Sequence, residues 1–275
     1  MPELPEVETV VRGLRAPLVG RTVLGVWHDW QRTLRTPDPE SFAARIVGQT
    51  FRAVGRRAKY ILCQMDDDIL VVHLKMTGRL YVTADSAVHD ADRWVHFRAQ
   101  LDGGQQLRFS DARKFGFVAL VRSLDEIAPL IGPEPLEDDF TADVLRQRLR
   151  GHRKAIKALL LDQAVLAGVG NIYADESLWR AGIHPLRPSD SLSDAEVALL
   201  HSAIRESLAG GIDHEGASIN WYRKPDGTAG EAQEHFFVYD RAGQPCQRCT
   251  TPIVKTRVAQ RGTHYCPACQ RLEQE

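Results

Sequence analysis

Four of the five cysteines lie close together near the C-terminal end of the chain. They form two pairs, Cys246-x2-Cys249 and Cys266-x2-Cys269, which sixteen residues separate. This spacing is typical of a zinc ion held by four thiolates in a hairpin whose core is the metal itself. Four sulfur ligands leave no position for water, so we expect one structural Zn²⁺ and not a catalytic ion. The alternative is a pair of disulfides, which are rare in cytosolic proteins.

The composition is that of a globular protein with room for two sizeable cores. The chain has 275 residues, of which 43% are hydrophobic and 26% charged. We expect a cytoplasmic protein without a membrane partner, because no apolar run approaches the roughly 20 residues that span a bilayer and no basic segment with an apolar stretch opens the chain. The fifth cysteine, Cys63, lies in an apolar run and is predicted to be an inert core residue.

The charges are balanced in number but unevenly distributed. The chain has 35 basic and 36 acidic residues, a formal net charge of -1. Residues 52–59 and 241–269 nevertheless carry only basic charges, whereas acidic side chains collect at 134–143. Such a distribution is compatible with one basic face, although a charge run is more often a solvated surface.

The pattern along the chain predicts an α+β multidomain protein. After a first helix, short strands with turns between them are predicted at 22–26, 60–65, 69–74, 79–82, 96–101, 106–110 and 117–121, which favours a β-sandwich or barrel. From about residue 132 the pattern becomes helical. We therefore expect domains at 1–131, 132–240 and 241–275.

Helix signals in the second part are specific. One helix is predicted around 156–160, and a second begins near Asn171 and stops at Gly182. A capping box from Ser193 to Glu196 starts a third helix, which the pair Gly210-Gly211 is predicted to end. Residues 215–230 are polar and aperiodic, so we expect a long loop of the kind that is usually functional or disordered.

The beginning of the chain has two interpretations. If Met1 is removed, Pro2 becomes a terminal secondary amine, which is nucleophilic near neutral pH and would form a cationic iminium with a sugar aldehyde. Glu3 could then transfer protons beside it. The structural alternative is an ordinary helix start, because Pro5 and the acidic residues after it suit a first helical turn.

Taken together, these features resemble the formamidopyrimidine-DNA glycosylase family, bifunctional enzymes that remove oxidised purines. The opening MPELPEVET looks like that family's N-terminus, and LDQ at 161–163 with AGVGNIYADE at 167–176 resembles its helix-two-turn-helix signature. The resemblance covers almost the whole chain. It implies an N-terminal catalytic β-sandwich domain with its first helix, a helix-two-turn-helix DNA-binding domain that contains a lesion-capping loop, and the zinc finger.

The resemblance also implies a catalytic set. Pro2 would attack C1′ of the damaged nucleotide as a Schiff-base nucleophile, and Glu3 would protonate the ring oxygen. Lys59 matches the proton donor for β-elimination, although an ammonium also suits plain phosphate contact. Arg261 matches the residue linked to δ-elimination, and we interpret it as electrostatic support for the leaving phosphate.

A second implied set binds DNA. A base in a duplex must be swung out of the stack before chemistry can reach it, and the hole must be filled. Met76 and Phe115 are expected to fill it as apolar wedges, and Arg113 is expected to donate hydrogen bonds to the cytosine that has lost its partner. Taken alone, each of the two apolar residues is more often part of a core. His73 belongs to the same matching segments. Trp94 is a further candidate contact, at a place where the family often has histidine.

The helical part contributes the expected phosphate contacts. Lys157 and Asn171 resemble the family's clamps beside the GVG turn, and His152 and Arg153 are expected to reach the same backbone. The resemblance also implies a partner and a location. The partner is double-stranded DNA that contains oxidised purines or abasic sites, and we expect a monomer to bind it in the bacterial cytoplasm and nucleoid. The loop at 217–221 differs from the small and hydroxylated residues more usual in the family.

Two other functions compete with this one. One is a glycosylase of the endonuclease VIII kind, which removes oxidised pyrimidines. The presence of Met76, Arg113 and Phe115 favours the purine enzyme over it. The other is a DNA-binding protein that keeps the scaffold without catalysis. Cleavage rates on duplexes that contain each lesion would distinguish the first alternative from the purine enzyme. Covalent trapping would distinguish the second, because a protein that only binds DNA forms no adduct.

Overall fold

The computed structural model describes residues 1–219 and 221–272 and divides the chain into two compact units. The first unit contains Met1–Pro129 and His214–Glu231, and the second contains Leu130–Asp213 and Ala232–Glu275. The last residues of the predicted finger domain, 273–275, lie outside the described residues, as does Asn220 of the capping loop. Within the described ranges, no helix has the length and apolar character needed to cross a membrane.

The first unit is a β-sandwich with two helices. Its elements are, in chain order, α1 (Leu4–Leu18), β1 (Val23–His28), α2 (Pro39–Ile46), β2 (Ala53–Arg57), β3 (Tyr60–Gln64), β4 (Ile69–His73), β5 (Gly78–Ala84), β6 (Val95–Leu101), β7 (Gln105–Asp111) and β8 (Phe117–Val121). One four-stranded sheet has the order β1-β6-β7-β5, and the other has the order β2-β3-β4-β8. All pairings are antiparallel. The α+β class and the sandwich are confirmed.

A single core joins the two sheets and the first helix. Val7, Val11 and Leu14 of α1 pack with side chains of both sheets, such as Phe97 and Val72. The apolar residues of α1 recur at helical spacing, so one face of the helix is buried. The predicted helix start is therefore confirmed. Cys63 is fully buried in this core, also as predicted.

Two elements of the first unit have weak sequence signals. Strand β2 runs through the basic segment, and its side chains alternate poorly between buried and exposed. Helix α2 has only eight residues and starts with Asp38, whose carboxylate accepts from the N–H groups of Glu40 and Ser41. Neither element was predicted, because burial of few residues leaves little periodicity to read.

Residues 214–231 belong to the first unit, although they lie within 132–240, the range expected for the second domain. Tyr222 is part of the sandwich core. Ala217 donates its N–H to Glu6 of α1 at 2.8 Å. Gly216 adopts φ +79°, and a Cβ there would lie 3.0 Å from Cγ of Glu6, so a larger residue would push the loop away. Long-range packing, and not chain order, decides where this segment belongs.

The second unit is helical and ends in a hairpin. Its elements are α3 (Ala142–Leu149), α4 (Ile156–Leu160), α5 (Asn171–Ala181), α6 (Asp194–Asp213), β9 (Val254–Val258) and β10 (Arg261–Tyr265). Gly182 ends α5 in the left-handed conformation, with φ +70°. Ser193 and Glu196 form the predicted capping box at the start of α6.

The predicted end of the third helix is wrong, and packing explains why. Helix α6 continues through Gly210 and Gly211 to Asp213. A Cβ at Gly211 would lie 2.5 Å from the ring of Tyr173 on α5. The glycine is therefore needed for close approach of two helices and does not terminate the helix.

Candidate active site and nucleic-acid interface

Pro2 and Glu3 lie immediately before α1. Pro2 is buried, and Glu3 is only 3% exposed. The backbone N–H of Glu3 donates to the Glu6 carboxylate at 2.8 Å. Glutamate is almost never buried to this degree without partners. Glu3 is also the N-cap residue of α1 and forms a capping box with Glu6, so the helix start itself buries both candidate residues.

Glu6 connects this site to a distant segment. One carboxylate oxygen accepts from the N–H of Glu3, and the other accepts from the N–H of Ala217, 211 positions away in sequence. Glu6 is itself 1% exposed. In the sequence it looks like an ordinary acidic residue in a first helical turn, and no local signal marks it as a link to the loop.

The charges of three cations act on His73 at the end of β4. Burial, followed by the charges of Lys75, Lys59 and Arg35, lowers the pKa of His73 from 6.5 to about 3. Nδ1 of the ring accepts the N–H of Lys75 at 3.0 Å. The neutral ring therefore carries its proton on Nε2 and offers a donor. Several positive charges and a neutral donor suit a phosphate.

Two of these cations were missed at the sequence level. Arg35 precedes the cis Thr36-Pro37 bond, and its guanidinium lies 4.5 Å from the ring centroid of Phe117. Lys75 follows His73 with φ +50°. Lys59 was predicted and is 5% exposed, in the turn between β2 and β3. Neither Arg35 nor Lys75 lies in a basic run, so charge counting could not find them.

The segment after β7 is organised around one carboxylate. Asp111 accepts the N–H groups of Arg113 at 3.2 Å, Phe115 at 2.8 Å and Gly116 at 2.6 Å, and it also accepts the hydroxyl of Thr77. Asp111 is 1% exposed. The loop is thus held in one conformation before any ligand binds.

The predicted wedge residues project from this region. Phe115 is 56% exposed and Met76 is 40% exposed, so the core alternative is wrong for both. The guanidinium of Arg113 lies 4.7 Å from the ring centroid of Phe115. Lys114 has φ +56°, and its amine lies 4.7 Å from the ring of Trp30. Rigid backbone below large exposed side chains is an arrangement that can enter a base stack.

Trp94 contacts Trp221 in the predicted capping loop, a segment that belongs to the first unit. Its ring lies 5.5 Å from the ring of Trp221 at an interplanar angle of 79°. The guanidinium of Arg93 lies 3.8 Å from the Trp94 ring centroid. Trp221 is 47% exposed. The sequence offered Trp94 only as a DNA contact, whereas its described contacts are with its neighbour and the capping loop.

In the second unit, Gln163 closes the turn before α5. Its amide nitrogen donates to the carbonyls of Leu161 and Val169, and its amide oxygen accepts the N–H of Gly168 at 3.0 Å. Gly168 has φ +78°, a conformation that favours glycine. One side chain therefore shapes the whole GVG turn.

The predicted phosphate contacts of this unit differ in exposure. Lys157 is fully buried, and its amine donates to the carbonyl of Gly262 at 2.9 Å. Asn171 donates to the same carbonyl at 3.0 Å. His152 and Arg153 are exposed, and the Arg153 side chain is 92% exposed beside Asp190. Arg261 is exposed at the start of β10.

The four cysteines form a metal site. Their Sγ atoms all lie within 4.8 Å of one another. Individual Sγ–Sγ distances are 3.3 Å for Cys249–Cys269, 3.4 Å for Cys249–Cys266 and 3.9 Å for Cys246–Cys269. Tetrahedral zinc with Zn–S bonds of about 2.3 Å requires Sγ–Sγ distances of about 3.8 Å. All the cysteines are free, so the disulfide alternative is wrong.

The surroundings fit thiolate ligands. The indole N–H of Trp179 donates to Sγ of Cys246 at 3.4 Å, and the N–H of Arg248 donates to the same sulfur at 3.4 Å. N–H donors of this kind stabilise ligating sulfurs. Four thiolates fill the coordination of the ion, so the chain holds one structural zinc.

Three family models match successive parts of the chain. The formamidopyrimidine-DNA glycosylase N-terminal domain matches residues 1–118, and the formamidopyrimidine-DNA glycosylase H2TH domain matches residues 131–223. A zinc finger found in FPG and IleRS matches residues 243–272. The matches leave only short segments between them.

Curated relatives are similar over their full length. The formamidopyrimidine-DNA glycosylase of Chloroflexus aggregans is 52% identical over 278 residues, which cover 100% of both chains. The protein of that name from Enterococcus faecalis is 44% identical and covers 99% of this chain and 98% of its own.

Solved structures agree. A complex between a mutant of the Lactococcus lactis FPG and a Fapy-dG containing DNA has a TM-score of 0.91 and 38% identity, over 98% of this chain and 100% of that one. The structure of MutM in complex with carbocyclic 8-oxo-G containing DNA has a TM-score of 0.89 and 37% identity, with the same coverage. Matches of this length and identity show that the chain belongs to the formamidopyrimidine-DNA glycosylase family.

Proposed function

We propose that this chain excises 8-oxoguanine and formamidopyrimidines opposite cytosine, through a Schiff base at Pro2, and then cuts the strand by β,δ-elimination. As a family member it is a DNA glycosylase of base excision repair and an AP lyase. The lesion preference and the chemical route are the proposal. The observation that carries the route is the carboxylate of Glu3, nearly fully buried directly after Pro2.

The covalent step requires a free terminal amine. After removal of Met1, the Pro2 nitrogen attacks C1′ as the glycosidic bond breaks, and the proton that the amine gives up neutralises the departing base. Glu3 donates a proton to the ring oxygen as the sugar opens, and the product is a cationic iminium between Pro2 and C1′. Because Pro2 is a secondary amine, the iminium nitrogen carries no proton that it could lose to become a neutral imine, so it remains an electron sink for removal of the C2′ proton.

Two eliminations follow from this sink. Loss of the C2′ proton expels the 3′ phosphate, and Lys59 supplies a proton to the leaving oxygen. Loss of the C4′ proton then expels the 5′ phosphate, which the guanidinium of Arg261 stabilises by charge, since arginine does not give up its proton. Hydrolysis of the iminium frees the enzyme.

The cations around His73 support this assignment. The charges of Arg35, Lys59 and Lys75 act on a neutral histidine whose ring proton is on Nε2, because Nδ1 accepts the N–H of Lys75. Such a group is suited to hold the phosphates that flank an extruded nucleotide. A buried lysine near phosphates can also deliver a proton to a leaving oxygen.

The exposed wedge residues support base extrusion. Removing a nucleotide from the stack costs a few kcal/mol, and Met76 and Phe115 can replace its stacking. Arg113 beside Phe115 offers two parallel N–H donors to an unpaired cytosine. This contact between Arg113 and cytosine is the reason why we favour lesions of guanine, whose partner base is cytosine, over oxidised pyrimidines.

Borohydride trapping tests the proposal. The mature protein is incubated with an 8-oxoguanine·cytosine duplex and reduced, and the adduct is digested and mapped. A linkage at the terminal nitrogen of Pro2 and faster excision of 8-oxoguanine than of an oxidised pyrimidine are expected. A linkage at another residue would refute the route, and faster pyrimidine excision would refute the lesion preference. Absence of any adduct would indicate a protein that only binds DNA.

The same proposal gives a location. Substrates of this kind are in chromosomal DNA, so the enzyme is expected in the bacterial cytoplasm, bound as a monomer to the nucleoid. The basic residues of both units, and not a membrane anchor, would hold the enzyme on DNA.

A further inference from the structure

Two helices of the second unit share a buried ion pair. Nζ of Lys157 on α4 lies 2.7 Å from Oδ1 of Asp175 on α5, and both side chains are 0% exposed. Burying two opposite charges costs more in lost hydration than the attraction usually returns. The stability of the two helices is therefore a poor explanation for the pair, and its other contacts are more informative.

Lys157 also holds strand β10 of the zinc-finger hairpin. Its amine donates to the carbonyl of Gly262 at 2.9 Å and to the hydroxyl of Thr263 at 2.8 Å. The Thr263 hydroxyl in turn donates to the carbonyl of Arg261 at 3.0 Å. One ammonium thus contacts the backbone immediately after Arg261 and, through Thr263, the carbonyl of Arg261 itself.

Asp175 holds the next residue of the same strand. Its second oxygen accepts the N–H of His264 at 2.9 Å. Asn171, one turn earlier on α5, donates to the carbonyl of Gly262 at 3.0 Å. Consecutive residues of β10 are therefore bound to α4 and α5 by charged or amide groups, which fixes both the register and the direction of the strand against the helices.

On its other side, Arg261 pairs with Val258 of β9 across the hairpin turn. Ala259 and Gln260 form the tight turn of the hairpin with φ values of +47° and +61°, a region that side-chain-bearing residues adopt at a cost. Arg261 itself is exposed. Its backbone position relative to the helices is set from the C-terminal side, by the groups that bind residues 262–264.

We infer that the Lys157–Asp175 pair is a positioning element for Arg261, which sets where the guanidinium is presented for the second elimination. The inference rests on the proposed function, because it uses the role proposed for Arg261. It gives Asp175 a role that its position inside a helix does not suggest. It also makes Lys157 an internal positioning residue in place of the direct phosphate ligand that the sequence predicts.

Three variants of the zinc-loaded, full-length enzyme separate positioning from folding. Asp175→Asn leaves the buried ammonium without a counter-charge, and Lys157→Met leaves the carboxylate without one, so both are expected to unfold at lower denaturant concentration. The double variant Lys157→Met with Asp175→Asn removes both charges and should recover most of the stability. Glu206→Gln is a matched control, because Glu206 is 63% exposed in its ion pair with Arg180.

Each variant is assayed on a duplex with one abasic site, by borohydride trapping and by resolving β from β,δ products. All variants should trap within about twofold of wild type. The ratio of β,δ to β product should fall on the order of 10- to 100-fold, the effect of an ångström-scale displacement of a reacting group, including in the stability-restored double variant. Glu206→Gln should behave as wild type.

Combination with Arg261→Ala supplies the decisive comparison. If Asp175 acts through Arg261, adding Asp175→Asn to Arg261→Ala should lower the product ratio no further, because the two changes remove one function. A wild-type product ratio in the double charge-removal variant would overturn the inference, and so would additive losses with Arg261→Ala. Failure of the proposed function itself is distinct, because wild-type enzyme would then give no Pro2 adduct.

Discussion

Nδ1 of His73 accepts the backbone N–H of Lys75 at 3.0 Å, which makes Nε2 the protonated nitrogen of a neutral ring. Burial and the cations Lys75, Lys59 and Arg35 lower the pKa of His73 to about 3. A histidine that stays neutral among cations can donate to a phosphate without adding to their mutual repulsion. The relationship also has a consequence for stability as a function of pH.

We predict that His73 makes the folded protein less stable as the pH falls from about 6.5 towards 3. In this window the unfolded chain binds a proton at His73 and the folded chain does not, so the free energy of unfolding decreases with decreasing pH, by about 1.4 kcal/mol per unit at most. Urea unfolding at pH 7 and pH 4.5 measures the difference. His73→Asn should show a shallower decrease than wild type. Equal slopes in His73→Asn and wild type would contradict the assignment.

Glu6→Gln should impair lesion excision more than abasic-site cleavage. A carboxylate can accept from both Glu3 and Ala217, whereas an amide has one acceptor oxygen and turns its NH2 group towards the other donor. The cost in stability should be about 1–3 kcal/mol. The misplaced loop should slow release of 8-oxoguanine in single-turnover assays, while cleavage of a duplex that already lacks the base should change less. Parallel losses on both substrates would show that Glu6 does not act through the loop.

Phe115→Ala should reduce excision without destabilising the fold. The side chain is 56% exposed, so its truncation should change the free energy of unfolding by less than about 0.5 kcal/mol. Phe109→Ala, at a fully buried position of β7, should cost about 3–5 kcal/mol and serves as the contrast. Excision from an 8-oxoguanine duplex, measured with excess enzyme, should be slowed in Phe115→Ala. A normal rate would exclude Phe115 from base extrusion.

Zinc removal should unfold the finger and leave the first unit folded. Cys246 and Cys266 belong to a small cluster with Trp179 and Val238, separate from the sandwich core. Chelation should weaken DNA binding measured by fluorescence anisotropy, because the basic hairpin loses its metal core. The thermal transition of the sandwich, followed by far-UV circular dichroism, should remain. Loss of both transitions on chelation would contradict separate cores.

Two adjacent glycines in α6 should respond oppositely to alanine. A Cβ at Gly211 would meet the Tyr173 ring at 2.5 Å, so Gly211→Ala should cost about 1–3 kcal/mol despite its better helix propensity. Nothing lies within 4 Å of a Cβ at Gly210, and Gly210→Ala should gain up to about 1 kcal/mol. Denaturant midpoints of the two variants provide the measurement. Stabilisation by both substitutions would show that the helices can move apart.

Much of the secondary structure could be predicted because its signals are local. The strands of the first unit other than β2, the capping box at Ser193 and the end of α5 at Gly182 each depend on residues within one element. The failure at Gly210-Gly211 has the opposite origin. Glycine is read as a helix end from sequence, but here Tyr173 from another helix requires the missing Cβ. Local patterns cannot contain that contact.

The candidate site divides in the same way. The wedge residues Met76 and Phe115 and the buried Glu3 were predicted by type and by resemblance, and their exposure or burial became known only with the fold. Arg35 and Lys75 carry no pattern of their own, yet both act on the pKa of His73. Electrostatic effects depend on distance in space, which neither charge counts nor spacing supplies.

The four-thiolate zinc site and the short strands of the first half could be read from the sequence, because ligand spacing and side-chain pattern are properties of short segments. The contact of Glu6 with Ala217 across 211 positions, and the enclosure of Lys157 with Asp175 against the finger strand, could be seen only in the folded chain. Partners of buried polar groups are chosen by which backbone atoms the packed core brings within about 3 Å, and that choice exists only after the chain has folded.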